Sequence, residues 1–170
     1  MTEQIILYPT ADAFITSANP NTNYGSGSLL SYGIPSRRSN IKFNLSTIST
    51  TNLIEARIYY YCAAGAGSGV THRRCTQDWS EETITWNNQP TYSAVNMGST
   101  PNFKYTSTWY SAVLDLTEFA TMVTTNYGMC GLGTNDDASN AYSRSGSAPP
   151  KLVLTYTSIP TTSYVIIFSG

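Results

Sequence analysis

The stretch Ile54 to Cys62, IEARIYYYC, sets Ile54, Ala56, Ile58, Tyr60 and Cys62 in strict alternation with Glu55, Arg57, Tyr59 and Tyr61. Successive side chains of a strand leave opposite faces, so this pattern predicts a half-buried β-strand whose first set faces a core and whose charged set faces water. Downstream, Gly65, Gly67 and Gly69 in AAGAGSG predict a flexible hairpin connection, from which Val70 to Cys75 returns as a second strand. Strand-like runs recur at short spacing along the chain with turn residues between them, the pattern of a sandwich or jelly roll rather than of a parallel α/β sheet. The expected fold class is therefore all-β, an antiparallel β-sandwich of jelly-roll type with one short α-helix. That helix begins after Asp115, which can cap it, with Glu118 completing a capping-box-like pair and Leu116, Phe119, Ala120 and Val123 on one face. Asn126 to Gly128 ends it. Such a helix plugs an end of the sandwich, and capping accounts for its acids without catalysis.

Four separated landmarks then follow in order. They are PTADAFITSANPNTNYGSGSLL (Pro9 to Leu30), IKFNLS (Ile41 to Ser46) leading into the Ile54 strand, DWSEETITWNNQP (Asp78 to Pro90), and AVLDLTEFATMV followed by a Gly-rich strand and PPKLVLTYT. Together they resemble the DNRLRE, or disaggregatase-related, family of β-sandwich modules, which overlaps a group of carbohydrate-binding modules. The likeness runs from about Pro9 to Thr157, with Asn44 where the family more often has Asp. It implies a catalytically silent module with a glycan or another surface partner. Residues 1–157 are read as one domain of this kind and 158–170 as an extension.

Composition narrows the classes of function. The chain has 170 residues, 41% of them hydrophobic, enough for one well-packed domain. Charged residues make up 11%, against the roughly 25% usual in soluble domains, and 13 tyrosines with many hydroxyl and amide side chains supply the polar surface. A formal net charge of −1 provides no field to gather phosphates, which argues against nucleic acid as a partner. The longest apolar run, Tyr164 to Phe168, is strand-sized and far short of the ~20 residues of a membrane span. Met1 stands just before the first strand with no basic, apolar leader after it, which favours a virion component released by lysis over an exported protein whose leader was removed.

No catalytic constellation is legible. His72, the sole histidine, lies in HRRC beside two arginines and reads as a solvent-facing strand residue. Glu81 and Glu82 are adjacent and diverge, so they do not make the opposed carboxylate pair of a glycosidase. Cys62, Cys75 and Cys130 lack metal-ligand spacing and read as buried small hydrophobes, with a Cys62–Cys75 bridge as the alternative. The chain is expected to have no cofactor. TNDDASN, Thr134 to Asn140, gathers oxygen donors that suit calcium, but Asn and Asp are equally turn formers and the spacing is not that of an EF-hand.

Glycan recognition calls for aromatic faces beside planar guanidinium or amide groups. Tyr24, Tyr32, Arg37, Arg38, Tyr142 and Arg144 are the candidates, at predicted loop ends. Trp79 and Trp86 read as packing residues, and Trp109 can serve either role. Beyond Thr157, Tyr164, Val165, Ile166, Ile167 and Phe168 form an apolar strand that must pair with an edge or another subunit, which makes them the expected assembly contact. Two readings result. One is a virion structural module that decorates a capsid or fibre, with other structural subunits as partners. The other is a carbohydrate-binding or adhesion module, extracellular or at a cell surface, with cell-surface polysaccharide as the partner.

Overall fold

A computed structural model describes residues 1–157. Its strands are β1 (Thr2–Leu7), β2 (Pro9–Thr16), β3 (Leu29–Tyr32), β4 (Arg37–Phe43), β5 (Leu53–Ala64), β6 (Val70–Arg74), β7 (Gly98–Ser99), β8 (Trp109–Leu114), β9 (Met129–Gly133), β10 (Ser139–Tyr142) and β11 (Lys151–Thr157). One helix, α1 (Leu116–Thr125), separates β8 from β9. The strands form two antiparallel sheets, as the alternation predicts. A six-stranded front sheet runs β1-β11-β5-β10-β3 with β8 on the other edge of β5, and a five-stranded back sheet runs β2-β4-β9-β6-β7. β1 and β11 pair from end to end, from Leu7 opposite Leu152 to Thr2 opposite Thr157.

The core between the sheets follows from period two. Ala56, Ile58, Tyr60 and Cys62 of β5 are wholly buried, and so are Leu30 and Tyr32 of β3 and Leu152 and Leu154 of β11. Ile41 and Phe43 of β4 meet them from the back sheet. Ile54 departs from the expected pattern: at the start of β5 it is exposed, because the core ends there.

The expected hairpin after β5 is instead a crossover. β6 leaves the front sheet and joins the back sheet between β9 and β7. The glycines serve close approach, since a Cβ on Gly65 would lie 2.7 Å from the Phe103 carbonyl oxygen and one on Gly69 2.8 Å from that of Thr100.

Helix α1 starts where the sequence places it. Asp115 Oδ1 accepts from the N–H groups of Thr117 (3.0 Å) and Glu118 (2.9 Å), satisfying two of the free donors of the first turn. Glu118 does not complete a capping box; it pairs with Arg74 at 3.2 Å, while the Asp115 N–H donates to the Met97 carbonyl. Asn126 adopts the left-handed conformation, φ 55°, and closes the helix. Phe119 and Met122 are buried in the inter-sheet core, so the helix covers one end of it.

The back sheet carries a second apolar layer on its outer face. Ala13, Ile15, Cys75 and Cys130 are buried there beneath Trp79 and Ile84, which belong to the long segment between β6 and β7. The Trp79 indole N–H donates to the Tyr127 carbonyl at 2.9 Å, fixing that segment on the sheet. Cys62 lies in the inter-sheet core and Cys75 in this outer layer, and all three cysteines are free, so the alternative bridge is not made. No described helix is long and apolar enough to cross a membrane. The expected assembly strand, Tyr164 to Phe168, lies outside the described residues.

Candidate functional site

The front sheet shows its outer face to solvent, and the wet side of β5 defines what stands there. Tyr59 and Tyr61 point outward because Ile58, Tyr60 and Cys62 between and beside them point inward. On β8, Trp109 sits opposite Tyr61 and Ser111 opposite Tyr59. The Trp109 and Tyr61 rings meet edge-on, centroids 5.2 Å apart. On the other side of Tyr61, Tyr142 of β10 stacks at 6.1 Å with an interplanar angle of 20°. Lys151, opposite Tyr59 on β11, lays its ammonium 4.7 Å from the Trp109 ring centre and 5.3 Å from that of Tyr59. Arg57, on the same face of β5, is held by two hydrogen bonds to Glu55, at 3.0 and 2.9 Å, and one to Ser111 Oγ at 3.3 Å. That pairing draws the Glu55 carboxyl below its ordinary value and raises Arg57. The result is a row of ring faces, Trp109–Tyr61–Tyr142, flanked by fixed cations.

At the β3 edge of this face the sheet meets the back sheet in a cleft of about 250 Å³. Phe14 and Tyr24 form one wall, stacked at 4.2 Å, with the Tyr24 hydroxyl accepting from Asn19 Nδ2 at 3.0 Å. Leu29 and Ser31 of β3, Asn140 of β10 and Arg37 line the rest.

The six candidates read from sequence divide three and three. Tyr24 and Arg37 line the cleft and Tyr142 belongs to the ring row. Tyr32 is wholly buried, because in the β3 alternation it follows Leu30 inward and packs edge-on against Tyr60 and Phe103. Arg38 is on the opposite side of the molecule: its guanidinium covers Trp86 at 4.7 Å and donates to Gln89 at 2.7 Å within the loop layer of the back sheet. Arg144 is committed to Glu81 through both Nε, at 2.7 Å, and Nη2. Tyr59, Tyr61 and Lys151 were not among the candidates. The alternation in IEARIYYYC already placed the two tyrosines on the wet face.

Arg144, which is exposed, and the half-buried Glu81 belong to a polar cluster around the buried Asp12. Glu81 also accepts the Asp12 N–H at 2.8 Å, and Asp12 Oδ2 accepts the Arg144 N–H at 2.7 Å. Asp12 Oδ1 is buried without a partner, and burial above all pushes this carboxyl up to about 7, helped by the neighbouring Glu81 charge. Glu81 stays below its ordinary value, because Arg144 and the Asp12 N–H more than offset burial. These groups clamp β2, the Trp79 segment and the turn after β10 together, which is a structural task.

His72 corrects the solvent-facing expectation. It is wholly buried, its Nδ1–H donating to the Gly98 carbonyl at 3.0 Å and its Nε2 accepting from the Tyr60 hydroxyl at 2.9 Å. Burial lowers its pKa to about 4. Both ring nitrogens are thus occupied, so His72 is not free to act as the base for an activated nucleophile. In the Thr134 to Asn140 loop, Thr134 Oγ1 accepts from the Gly69 N–H at 2.8 Å and Asn135 Nδ2 donates to the Gly67 carbonyl at 3.0 Å. Thr134 and Asn135 therefore brace the crossover after β5. Among the described residues no three His, Cys, Asp or Glu side chains converge as metal ligands would.

Carbohydrate-binding module family 96 matches residues 3–156, a span that covers both sheets, the ring row and the cleft. The chain belongs to that family. No curated protein matches it. A carbohydrate-binding module is a non-catalytic domain. Within this family 96 module, the front side joins ring faces and hydrogen-bonding groups on one sheet surface, whereas on the back side Trp86 and Tyr92 are covered by the Arg38 guanidinium.

Proposed function

We propose that this module binds a polysaccharide on the outer face of its front sheet. The observation that carries the reading is the Trp109–Tyr61–Tyr142 row, set by strand pairing on a face where Trp109 is exposed and no other described segment is packed over the rings. A pyranose ring has an apolar C–H face and a hydroxyl rim. The C–H faces stack on the tyrosine and tryptophan rings, and Lys151, Arg57 and Ser111 lie beside the row to receive the rim. The rings are already ordered by one another and by Lys151, so little side-chain entropy is lost on binding. Family membership supports a glycan partner and gives no support to a capsid-decorating role or to structural subunits as partners.

Retention on a panel of polysaccharides tests the reading: cellulose, xylan and mannan as neutral chains, chitin as an N-acetylated one, pectin and alginate as acidic ones. The wild-type protein should be retarded by at least one matrix, and Trp109→Ala should migrate freely on it. Retention that survives in both Trp109→Ala and Tyr61→Ala would sink the proposal.

A further inference from the structure

We infer that the ring row and the edge cleft are successive parts of one track, on which a single glycan chain lies across the strands, with the row supplying affinity and the cleft reading the identity of one sugar unit. The inference rests on the proposed polysaccharide binding and adds where the chain runs and which residues discriminate.

Strand register makes the two parts continuous. Trp109 on β8 is opposite Tyr61 on β5, Tyr61 stacks on Tyr142 of β10, and Tyr142 is opposite Leu29 on β3. Leu29 is already a wall of the cleft, and the next outward pair along the same two strands, Asn140 opposite Ser31, lines it as well. All of these lie on the outer face, because Tyr60, Cys62, Ala141 and Leu30, which alternate with them, are wholly buried. From β8 to β3 the row crosses three strand spacings, about 15 Å at the usual separation. That is room for several sugar rings before the cleft begins.

The chemistry changes along this path. The row offers ring surfaces alone, Trp109 tilted 67° to Tyr61 and Tyr142 20° to it, and these are indifferent to how the hydroxyls of a sugar are arranged, since every pyranose offers a C–H face. The cleft is concave, with the Phe14–Tyr24 stack on one side and hydrogen-bonding groups opposite it. Among the described residues the Asn140 amide makes no hydrogen bond, and Arg37 has no carboxylate partner and only a long contact, 3.5 Å, to Ser31 Oγ. A planar amide and a planar guanidinium, each able to make paired hydrogen bonds, suit adjacent hydroxyls of one ring and discriminate their orientation. A wrong epimer would leave a polar group unpaired in the cleft, the situation that gives hydrogen-bonding sites their selectivity.

The test is calorimetric titration with the oligosaccharide ladder, dimer to hexamer, of whichever polysaccharide retains the wild type: cello-, xylo-, manno-, chito-, pectic or alginate oligomers. Affinity should climb with length and reach one chain per module for the longest oligomer. Trp109→Ala should weaken binding at every length. Arg37→Ala and Asn140→Ala, both at partly or fully exposed positions, should leave the shortest oligomers unaffected and cost the longest about tenfold, flattening the length dependence. If both cleft variants titrate like the wild type while Trp109→Ala fails, the row acts alone and the inference is overturned, though polysaccharide binding stands. Two long chains per module would overturn it too, by showing independent sites. If no variant of row or cleft changes the titration, the inference and the proposed function fall together.

Discussion

Tyr61 and Trp109 are cross-strand partners on the front sheet, their rings edge-to-face at 5.2 Å, and the Lys151 ammonium rests 4.7 Å from the Trp109 ring centre. The three side chains come from β5, β8 and β11, so the arrangement is held by the ladder of the sheet and not by a loop. A ligand that meets it finds rings whose orientation is already fixed. Truncating the most exposed of them should therefore act on binding and hardly on folding. Trp109, 42% exposed, should on conversion to alanine lower affinity by about 2 kcal/mol, or roughly 30-fold, the size expected of a buried aromatic anchor in a complex. Isothermal titration beside a thermal melt checks both halves, and a large fall in melting temperature would argue that Trp109 is a packing residue.

Asp12 and His72 predict opposing pH dependences. The Asp12 carboxyl, raised from 3.8 to about 7, stabilises the fold as the neutral acid, so its contribution is full below its unfolded pKa and is lost as pH rises to about 7. His72, lowered from 6.5 to about 4, stabilises the fold as the neutral base, so its contribution is full above 6.5 and is lost as pH falls through about 4. The two largely offset one another in the intact protein. Asp12→Asn should leave stability rising with pH across this interval, and His72→Gln should leave it falling. Urea midpoints measured through the same interval decide it; parallel slopes in the two variants would contradict the assignment.

Tyr60→Phe removes a single hydroxyl and leaves His72 Nε2, its hydrogen-bond acceptor partner at 2.9 Å, buried and unsatisfied. The expected cost is about 1–3 kcal/mol of stability, with polysaccharide retention unchanged because Tyr60 faces the core. Chemical denaturation gives the first quantity and affinity electrophoresis the second.

Asp115→Ala deletes the two capping hydrogen bonds at the start of α1. A loss of about 1 kcal/mol follows, again without effect on binding, since the helix lies at the end of the core away from the ring row. Asp115→Asn should recover most of it. A variant in which alanine and asparagine behave alike would show that the carboxylate does not cap.

Gly146→Ala tests how tightly the row is supported from below. A Cβ there would lie 2.6 Å from the Ser28 carbonyl and 2.8 Å from Tyr142 Cβ, so the turn after β10 or the Tyr142 ring must move. Lower stability together with weaker retention is expected, in contrast to Trp109→Ala, which should affect retention alone.

Much of the fold was legible because period two survives in single strands. β5 and the cap of α1 could be read from adjacent residues, and both stand where the sequence places them. Local pattern says less about what covers a face. Arg38 and Tyr142 both leave their strands outward, yet the Trp79–Trp86 segment lies over one and nothing described lies over the other. It also does not reveal which way a polar strand residue turns: Tyr32 and His72 look as fit for water as Tyr61, yet Tyr32 is buried by ring packing, its hydroxyl unpaired, and His72 by hydrogen bonds at both ring nitrogens. The glycines after β5 mark where the chain bends and not which sheet it rejoins. The ring row was hidden for the same reason, since residues 61, 109, 142 and 151 become neighbours only through long-range register.

Because Thr2 is the partner of Thr157, both ends of the described domain emerge side by side at one corner of the front sheet. Lys151, beside the rings, is six residues back along β11 from that corner, about 20 Å at the rise of an extended strand. The rings thus stand at the far end of the strand from that corner, and a bulky group joined at the corner would be held clear of the path a sugar chain takes.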